Sequence, residues 1–388
     1  MTGKEYTARL AGRAAEIGAA AWNACANPTG PADPSPFTRY EFFEALEESG
    51  SAVPRTGWRP LHLVVERGGR IEGILPLYLK NHSDGEYVFD HAWADALERV
   101  GGSYYPKLQA CVPFTPVTGR RLLVAASADE AAVRTALLGA GAAAVEQLQC
   151  SSLHITFPAE DEWRAAGELG YLLRNDRQFH WVNRRYKSFD EFLGKLSSSK
   201  RKNLKKERAG IREAGIDFDW LTGAEITEAH WDLFFRFYMD TGGRKWGSPY
   251  LTREFFSRIG SRMAEQVLLV MARRGKKTIA GALNFFGEGV LYGRNWGCIE
   301  FVPCLHFETC YYQAIDFAIA RGLAKVEAGA QGEHKLLRGY QPVTTYSAHY
   351  IAHAGLRRAV ADYLVAEREA VAENIEDLTQ AGPFKKGQ

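Results

Sequence analysis

SPFTRYEFF, residues 35–43, and SPYLTREFF, residues 248–256, are one phrase written twice in the same chain. Ser, Pro, an aromatic and a closing Glu-Phe-Phe fall at identical spacing. A second likeness follows each copy. RGGRIEGILPLYL (67–79) and RRGKKTIAGALNFF (273–286) both read as a β-hairpin with a glycine turn and a further glycine in the second strand. Self-similarity on this scale predicts duplication and fusion. Two lobes then follow, residues 1–186 and 187–388. A chain of 388 residues is in any case too long for one ordinary core.

Working outward, the phrase at 35–49 predicts a helix begun by Ser35 and Pro36, with Phe42, Phe43 and Leu46 on its apolar face. Leu61–Glu66 and Ile71–Leu79 are the strands of the first hairpin, Glu86–Asp90 a third strand and Ala92–Val100 a helix. Ser103–Val124 shows no clear period. Ala128–Leu138 and Ala159–Leu169 predict helices, Ser152–Phe157 and Leu172–Val182 strands. The second half opens with a long basic helix over 189–214, then strand 216–220 and helices 224–239 and 252–263. Three strands (267–272, 279–286, 290–296), helix 305–321, strands 325–330 and 344–351, and a terminal helix over 356–378 complete it. Such an order predicts an α+β class with a central mixed sheet flanked by helices in each lobe.

Composition narrows the function. A hydrophobic share of 46% and a charged share of 24% belong to a globular protein. The net charge of +2 gives no global pull toward nucleic acid, so a basic site must be local. The six cysteines form no C-x-x-C pair. Cys298, Cys304, His306 and Cys310 fit no familiar zinc spacing, and no metal is expected. Reduced, buried thiols point to a cytoplasmic protein. The alanine-rich N-terminus, interrupted by Arg9, Arg13 and Glu16, reads as a short helix rather than a signal peptide. The most apolar run, Ala136–Val145, falls far short of the ~20 residues a membrane span needs.

Three stretches could carry chemistry. KVEAGAQGEHK (325–335) is a strand that breaks into Gly329 and Gly332 and ends in Glu333, His334 and Lys335. It reads as a proton-transfer turn at a cleft or as an ordinary charged turn. Lys195–Arg208 holds seven cations, among them Lys200, Arg201, Lys202, Lys205 and Lys206, with Ser197–Ser199 as a helix cap. This is a phosphate or nucleic-acid contact, or a solvated helix face. In the first half, Lys80, His82, Asp84, Glu86, Asp90 and His91, with Tyr104, Tyr105 and Lys107, line a polar cleft or form a hydrogen-bonded interface.

The order of the second half is similar to the GNAT acyltransferase fold. A duplicated GNAT unit whose second half opens on a basic helix resembles the Fem-type aminoacyltransferases, and more closely the Fem-like predicted N-acyltransferases. The motifs that carry this are EFFEALEESG, KNHSDGEYVFDHAWA, YYPKLQACVPFTPVTGRRLL, SSLH, QFHW, LSSSKRKNLKKER, LYGRNWGC, LHFETCYYQ and GAQGEHKLLRGY, spread over Ser35–His353. The resemblance implies tandem GNAT-like lobes and acyl or aminoacyl transfer to an amine acceptor, a small molecule or peptide of the peptidoglycan-precursor kind. It also implies an acceptor site near the first lobe, which makes Lys80, His82, Asp90, Tyr104 and Lys107 candidates.

A glycine-rich pyrophosphate loop would be expected between Trp296 and Leu305 if the donor were acyl-CoA. The chain has GCIEFVPCL there, and Gln109–Arg121 holds only Gly119. Aminoacyl-tRNA is therefore the expected donor, a CoA thioester the alternative, and neither is a resident cofactor. In the second lobe Arg294 and Trp296 share a strand face, His306, Glu308 and Tyr312 open a helix, and Glu327 precedes the 333–335 triplet. Glu333 or His334 is the candidate base, Lys335 or Arg294 an oxyanion or phosphate partner, and Glu308 a carboxylate for the amine. Arg294, Trp296, His306 and Glu327 are candidate substrate contacts. Each could equally be a structural ion pair. With no Ser-His-Asp or Cys-His pattern, direct aminolysis is expected over a covalent intermediate. The different-class alternative is a non-catalytic module that binds a cell-wall precursor or RNA. Oligomeric state is not read from the sequence.

Overall fold

A computed structural model describes residues 5–28, 34–245, 249–330 and 332–385, the side chains of residues 244 and 245 excepted. Ser248 of the second SPY phrase and Gln331 of the 325–335 stretch lie outside the described residues.

In chain order the strands are β1 (Thr7–Ala11), β2 (Trp58–Pro60), β3 (His62–Arg67), β4 (Arg70–Leu75), β5 (Leu77–Lys80), β6 (Lys107–Ala110), β7 (Leu123–Val124), β8 (Ser152–Thr156), β9 (Leu172–Val182), β10 (Ile216–Thr222), β11 (Val267–Arg274), β12 (Lys277–Gly287), β13 (Val290–Cys298), β14 (Lys325–Glu327) and β15 (Gln341–Ile351). The helices are α1 (Ala19–Ala26), α2 (Tyr40–Glu48), α3 (His91–Arg99), α4 (Glu130–Gln147), α5 (Glu160–Glu168), α6 (Phe189–Lys195), α7 (Ser198–Glu213), α8 (Glu228–Lys245), α9 (Arg253–Arg262), α10 (Leu305–Phe307), α11 (Gln313–Arg321) and α12 (Ala354–Gln380). A π-helical turn, Glu308–Tyr312, joins α10 to α11.

The chain divides into two compact units: the described residues up to Asp176 with Thr344–Glu373, and Arg177–Val343 with the described residues from Asn374. This differs from the tandem division at 186/187. The reason lies in the last strand of each half. In the first unit β6 and β8 are parallel, joined through α4, and the strand on β8's far side is β15, paired at Ser347–Ile351. In the second unit β13 and β14 are parallel, joined through α11, and the strand on β14's far side is β9, paired at His180–Val182. Each half thus completes the sheet of the other.

Within the first unit, β1-β3-β4-β7 form one antiparallel sheet, and β15, β8, β6, β5 and β2 are neighbours in a mixed one. Its core gathers Leu75, Leu108, Val133, Leu137 and Leu153 under α4. In the second unit the order is β10-β11-β12-β13-β14-β9, with a core of Trp181, Phe192, Leu268, Leu291, Ile315 and Val326. Both predicted hairpins are present, and both ladders are bulged near the turn. The repeated glycine has one physical job in both. A Cβ on Gly73 would lie 2.4 Å from Val133 of α4, and one on Gly281 would lie 3.2 Å from Phe234 of α8. Glycine admits the covering helix to the sheet.

Three local expectations are corrected. The N-terminal residues 7–11 are a strand, paired with β3, and the helix begins only at Ala19. Residues 86–90 form no strand: Glu86 and Asp90 turn their carboxylates inward to Lys107. The basic helix is two helices. Leu196, fully buried, pairs across a bridge with Phe384, and Ser197 N–H donates to the carbonyl of Pro383. Burying Leu196 in extended backbone ends α6 and restarts the helix as α7. No helix among the described residues is long and apolar enough to cross a membrane.

Candidate functional site

β13 stays with β14 only over Val290–Tyr292. Beyond Tyr292 the ladder to β12 slips by one residue, Leu283 facing Asn295 and Asn284 facing Gly293, so Arg294 is the bulged residue. Two strands that start parallel and then part leave a gap in the sheet, and here the gap is a cleft of about 140 Å³. Ala282, Leu283 and Asn284 of β12, Gly293–Trp296 of β13 and Ala328 after β14 form its strand walls. His306, Cys310 and Tyr311 form its helical wall. A Cβ on Gly293 would lie 3.4 Å from both Asn284 Oδ1 and the carbonyl of Glu327, an ordinary contact distance.

The helical wall has an unusual backbone. Cys304, at φ 66°, precedes α10, and the π-turn widens the helix over Glu308–Tyr312. A π-turn rotates successive side chains away from the α-helical pattern, a device common at functional sites. It brings Cys310 and Tyr311 both to the cleft while Glu308 and Tyr312 point elsewhere. Glu308 Oε1 accepts from Arg208 at 2.9 Å and from Gln313 at 2.8 Å, and its Oε2 has no hydrogen-bond partner among the described residues. Burial raises the Glu308 carboxyl and Arg208 opposes that. Arg208 also holds Asp316, at 2.6 Å. On the same α7 face Glu207 accepts from Tyr312 and from Arg338, the latter at 2.8 and 3.1 Å. Arg338 lies 3.4 Å above the Phe307 ring. The inner face of α7 therefore fixes the π-turn and the 333–338 turn together.

The 325–335 stretch separates its ionisable groups. Glu327 is buried and bonded to Lys325 at 2.5 Å, with His180 Nε2 3.8 Å away. Burial holds His180 down to about 4. Glu333 is exposed, pairs with Arg177 at 3.2 Å and is not among the residues that line the cleft. His334 Nε2 lies 2.9 Å from the Tyr311 hydroxyl, among the rings of His306, Phe307 and Tyr311. Lys335 is 1% exposed. Its ammonium donates to the carbonyl of Gly329 at 2.9 Å. Burial drives its pKa down to about 7, helped by Arg294 and opposed by Cys310, both cleft residues. Lys335 is not among the residues that line the cleft, and burial makes it an amine that gives up its proton far more readily than an exposed lysine.

The first-unit candidates form a buried chain instead of an open cleft. Lys107 donates to Ser83 and Glu86, each at 2.7 Å, and to Asp90. Tyr104 donates to Asp90 at 2.7 Å and lies 3.1 Å from His154, whose Nδ1 is 2.7 Å from Nδ1 of His349. Lys80 lies 3.6 Å above the Trp58 ring, 3.4 Å from His82 Nδ1 and 3.7 Å from Glu86. Burial pushes Glu86 up to about 7, Lys80 down to about 8 and His154 down to about 3. Burial would raise Asp90 too, but Lys107 wins and lowers it. Lys80, Glu86, Asp90, Tyr104 and Lys107 are all buried; His82, Asp84, His91 and Tyr105 are the members that reach solvent.

On α7 the cations divide. Lys202, Lys205 and Lys206 are exposed, and Lys200 and Arg201 half-buried. Arg208 is turned inward, and Lys205 lies 3.4 Å from Asp190. No side chain caps the helix and its first turn holds no acid.

Sequence reasoning missed Cys310, Tyr311 and Asn284. Cys310 was weighed only as a metal ligand, and no cluster of described residues could hold a metal ion.

No curated protein matches the chain in sequence. Among solved structures, FemX superposes with TM-score 0.53 at 12% identity, over 92% of this chain and 100% of that one. L-PGS from Bacillus licheniformis superposes with TM-score 0.51 at 10% identity, over 86% of this chain and 98% of that one. These likenesses are of fold alone, an α+β chain of mixed sheet flanked by helices. A family model described as FemAB-like, peptidoglycan biosynthesis/recognition, matches residues 13–386. A match over nearly the whole chain shows that the protein is a member of the FemAB-like family.

Proposed function

We propose that the chain transfers an acyl or aminoacyl group to an amine acceptor by direct aminolysis at the cleft between β13 and β14, with aminoacyl-tRNA as donor. The observation that carries this is Lys335, a buried amine that burial, helped by the charge of Arg294, a cleft residue, brings down to about 7. Direct aminolysis needs a base for the attacking ammonium and donors for the tetrahedral oxyanion. Neutral Lys335 accepts the proton, and Arg294 faces the oxyanion. The Tyr311–His334 pair supplies a hydroxyl to the leaving oxygen or sulfur. Glu333, paired outward with Arg177, takes no part in the proton transfer, and Glu308 serves by holding Arg208.

The donor preference rests on two features. The loop after β13 presents Glu300, tied to Arg274 at 2.8 Å and Lys277 at 2.5 Å, where a pyrophosphate cradle would need free N–H groups and no acid. The exposed lysines of α7 suit a polyphosphate backbone. The family's description directs attention to a peptidoglycan precursor as acceptor. Thermal-shift titration with aminoacyl-tRNA, acetyl-CoA and UDP-linked peptidoglycan precursors tests the assignment. Stabilisation by aminoacyl-tRNA and a precursor is expected. Stabilisation by acetyl-CoA without aminoacyl-tRNA would overturn the donor.

A further inference from the structure

Residues 383–385, beyond α12, lie as a strap across the break between α6 and α7. Leu196 and Phe384 form the bridge. Ser197 N–H donates to the Pro383 carbonyl at 2.9 Å, and Lys385 N–H donates to the Lys195 carbonyl at 3.1 Å. Side chains alternate across such a bridge, and opposed residues share a side. Leu196 is fully buried and Phe384 packs against the same core, while the next opposed pair, Lys195 and Lys385, is exposed. The exposed Arg184 guanidinium lies 5.5 Å from the centroid of the Phe384 ring. The strap therefore gathers cations from three parts of the chain.

Like charges directly opposite one another repel. Nothing close by offsets these. Among the described residues Arg184, Lys195 and Lys385 have no ion pair, and neither have Lys200, Arg201, Lys202 and Lys206 of the adjoining α7. The neighbouring acids are committed elsewhere: Asp190 lies 3.4 Å from Lys205, Glu191 accepts from the Lys187 N–H at 2.7 Å, and Glu207 holds Arg338 at 2.8 Å. In a chain whose net charge is only +2, this is a local excess of positive charge that favours an anionic partner.

We infer that the strap is the second half of a phosphate-binding face that begins on α7, with Arg184, Lys195 and Lys385 contacting the backbone of an RNA ligand. This rests on the reading of α7 as a polyphosphate contact. A polymer with a phosphate at every nucleotide engages cations on helix, junction and strap at once, and the exposed Ser198 and Ser199 add hydroxyl donors between them.

The test is the anisotropy of fluorescein-labelled tRNA titrated with the full chain between about 50 and about 200 mM salt. Each phosphate contact contributes about 0.9 to the slope of log K against log salt. Lys385→Glu and Lys195→Glu are each expected to weaken binding at least about fivefold at low salt and to reduce the slope by about 1. Both side chains are exposed, so the melting temperature should not change. Lys276→Glu, an exposed position in the turn between β11 and β12, should leave affinity and slope as they were. Unaltered affinity and slope in both Lys385→Glu and Lys195→Glu, or an equal loss in Lys276→Glu, overturns the strap. If Lys202→Glu and Lys206→Glu still weaken binding in that case, the α7 reading stands without it. If the unaltered chain binds no tRNA, or captures phosphatidylglycerol vesicles in its place, the polyphosphate reading falls and the strap with it.

Discussion

At the scale of the residue, the proposed chemistry turns on Lys335. Its ordinary pKa near 10.5 falls to about 7 because burial removes water from the ammonium while Arg294 repels it. The sign for stability follows from linkage. A folded pKa below the unfolded one means the native state binds fewer protons, so stability is lowest below about pH 7 and rises between about 7 and 10.5. Lys335→Met removes that cost. It should raise the urea midpoint at pH 6 by more than at pH 10, the gap narrowing across the window; an equal gap at both ends would show that the lysine is not depressed. Activity carries the opposite signature of use. Turnover should fall as pH drops through about 7, and Lys335→Ala should lose this limb and regain part of its rate with added propylamine.

At the scale of the element, the π-turn holds the site and α7 holds the π-turn. Arg208 bridges Glu308 and Asp316 at 2.9 and 2.6 Å. Arg208→Met would leave the buried Glu308 carboxylate uncompensated, at a cost of about 3 kcal/mol in urea unfolding. A loss of a few tenths would mean that Glu308 simply takes up a proton. Glycines offer a contrasting pair. A Cβ on Gly297 in β13 would lie 2.1 Å from the backbone carbonyl of Phe237 in α8, so Gly297→Ala must shift a helix. Gly139, inside α4, has nothing within 4 Å of its Cβ position. Gly139→Ala should stabilise by about 0.5–1 kcal/mol, while Gly297→Ala destabilises by more than that. Equal effects would contradict the packing of α8 on β13.

At the scale of the whole molecule, the repeat was legible and the exchange of strands was not. The SP-aromatic phrases, the hairpins and the glycines Gly73 and Gly281 announce two alike sheets because turn chemistry and close helix packing leave marks in single residues. Which sheet a strand joins leaves no such mark. β9 and β15 have the composition of strands in either place, so the boundary at 186/187 followed chain order while the contacts follow pairing. The candidate site was half legible. Ionisable residues after a glycine break marked 333–335, but their directions depend on Arg177, Tyr311 and Gly329, which lie elsewhere in sequence. The first-unit cluster was legible as a set of residues and was open between a cleft and a hydrogen-bonded interface, since burial is a property of the fold. One consequence is open to test. Residues 1–186 alone lack Ile351, Leu356, Val360 and Leu364, which pack with Trp93, Leu97 and Tyr104. This fragment should show collapsed amide dispersion by NMR, and recover it only when residues 344–373 are supplied. A well-dispersed spectrum from 1–186 alone would restore the simple tandem division.

The central claim is that Lys335 serves as the base of the transfer at the cleft, and its most direct measurement is the rate of label transfer from radiolabelled aminoacyl-tRNA to UDP-linked peptidoglycan precursors by the unaltered chain and by Lys335→Ala. Loss of a general base costs about 10²–10⁴-fold, so the variant should transfer at less than a hundredth of the rate while still binding both substrates. Transfer by Lys335→Ala at the unaltered rate would contradict the account.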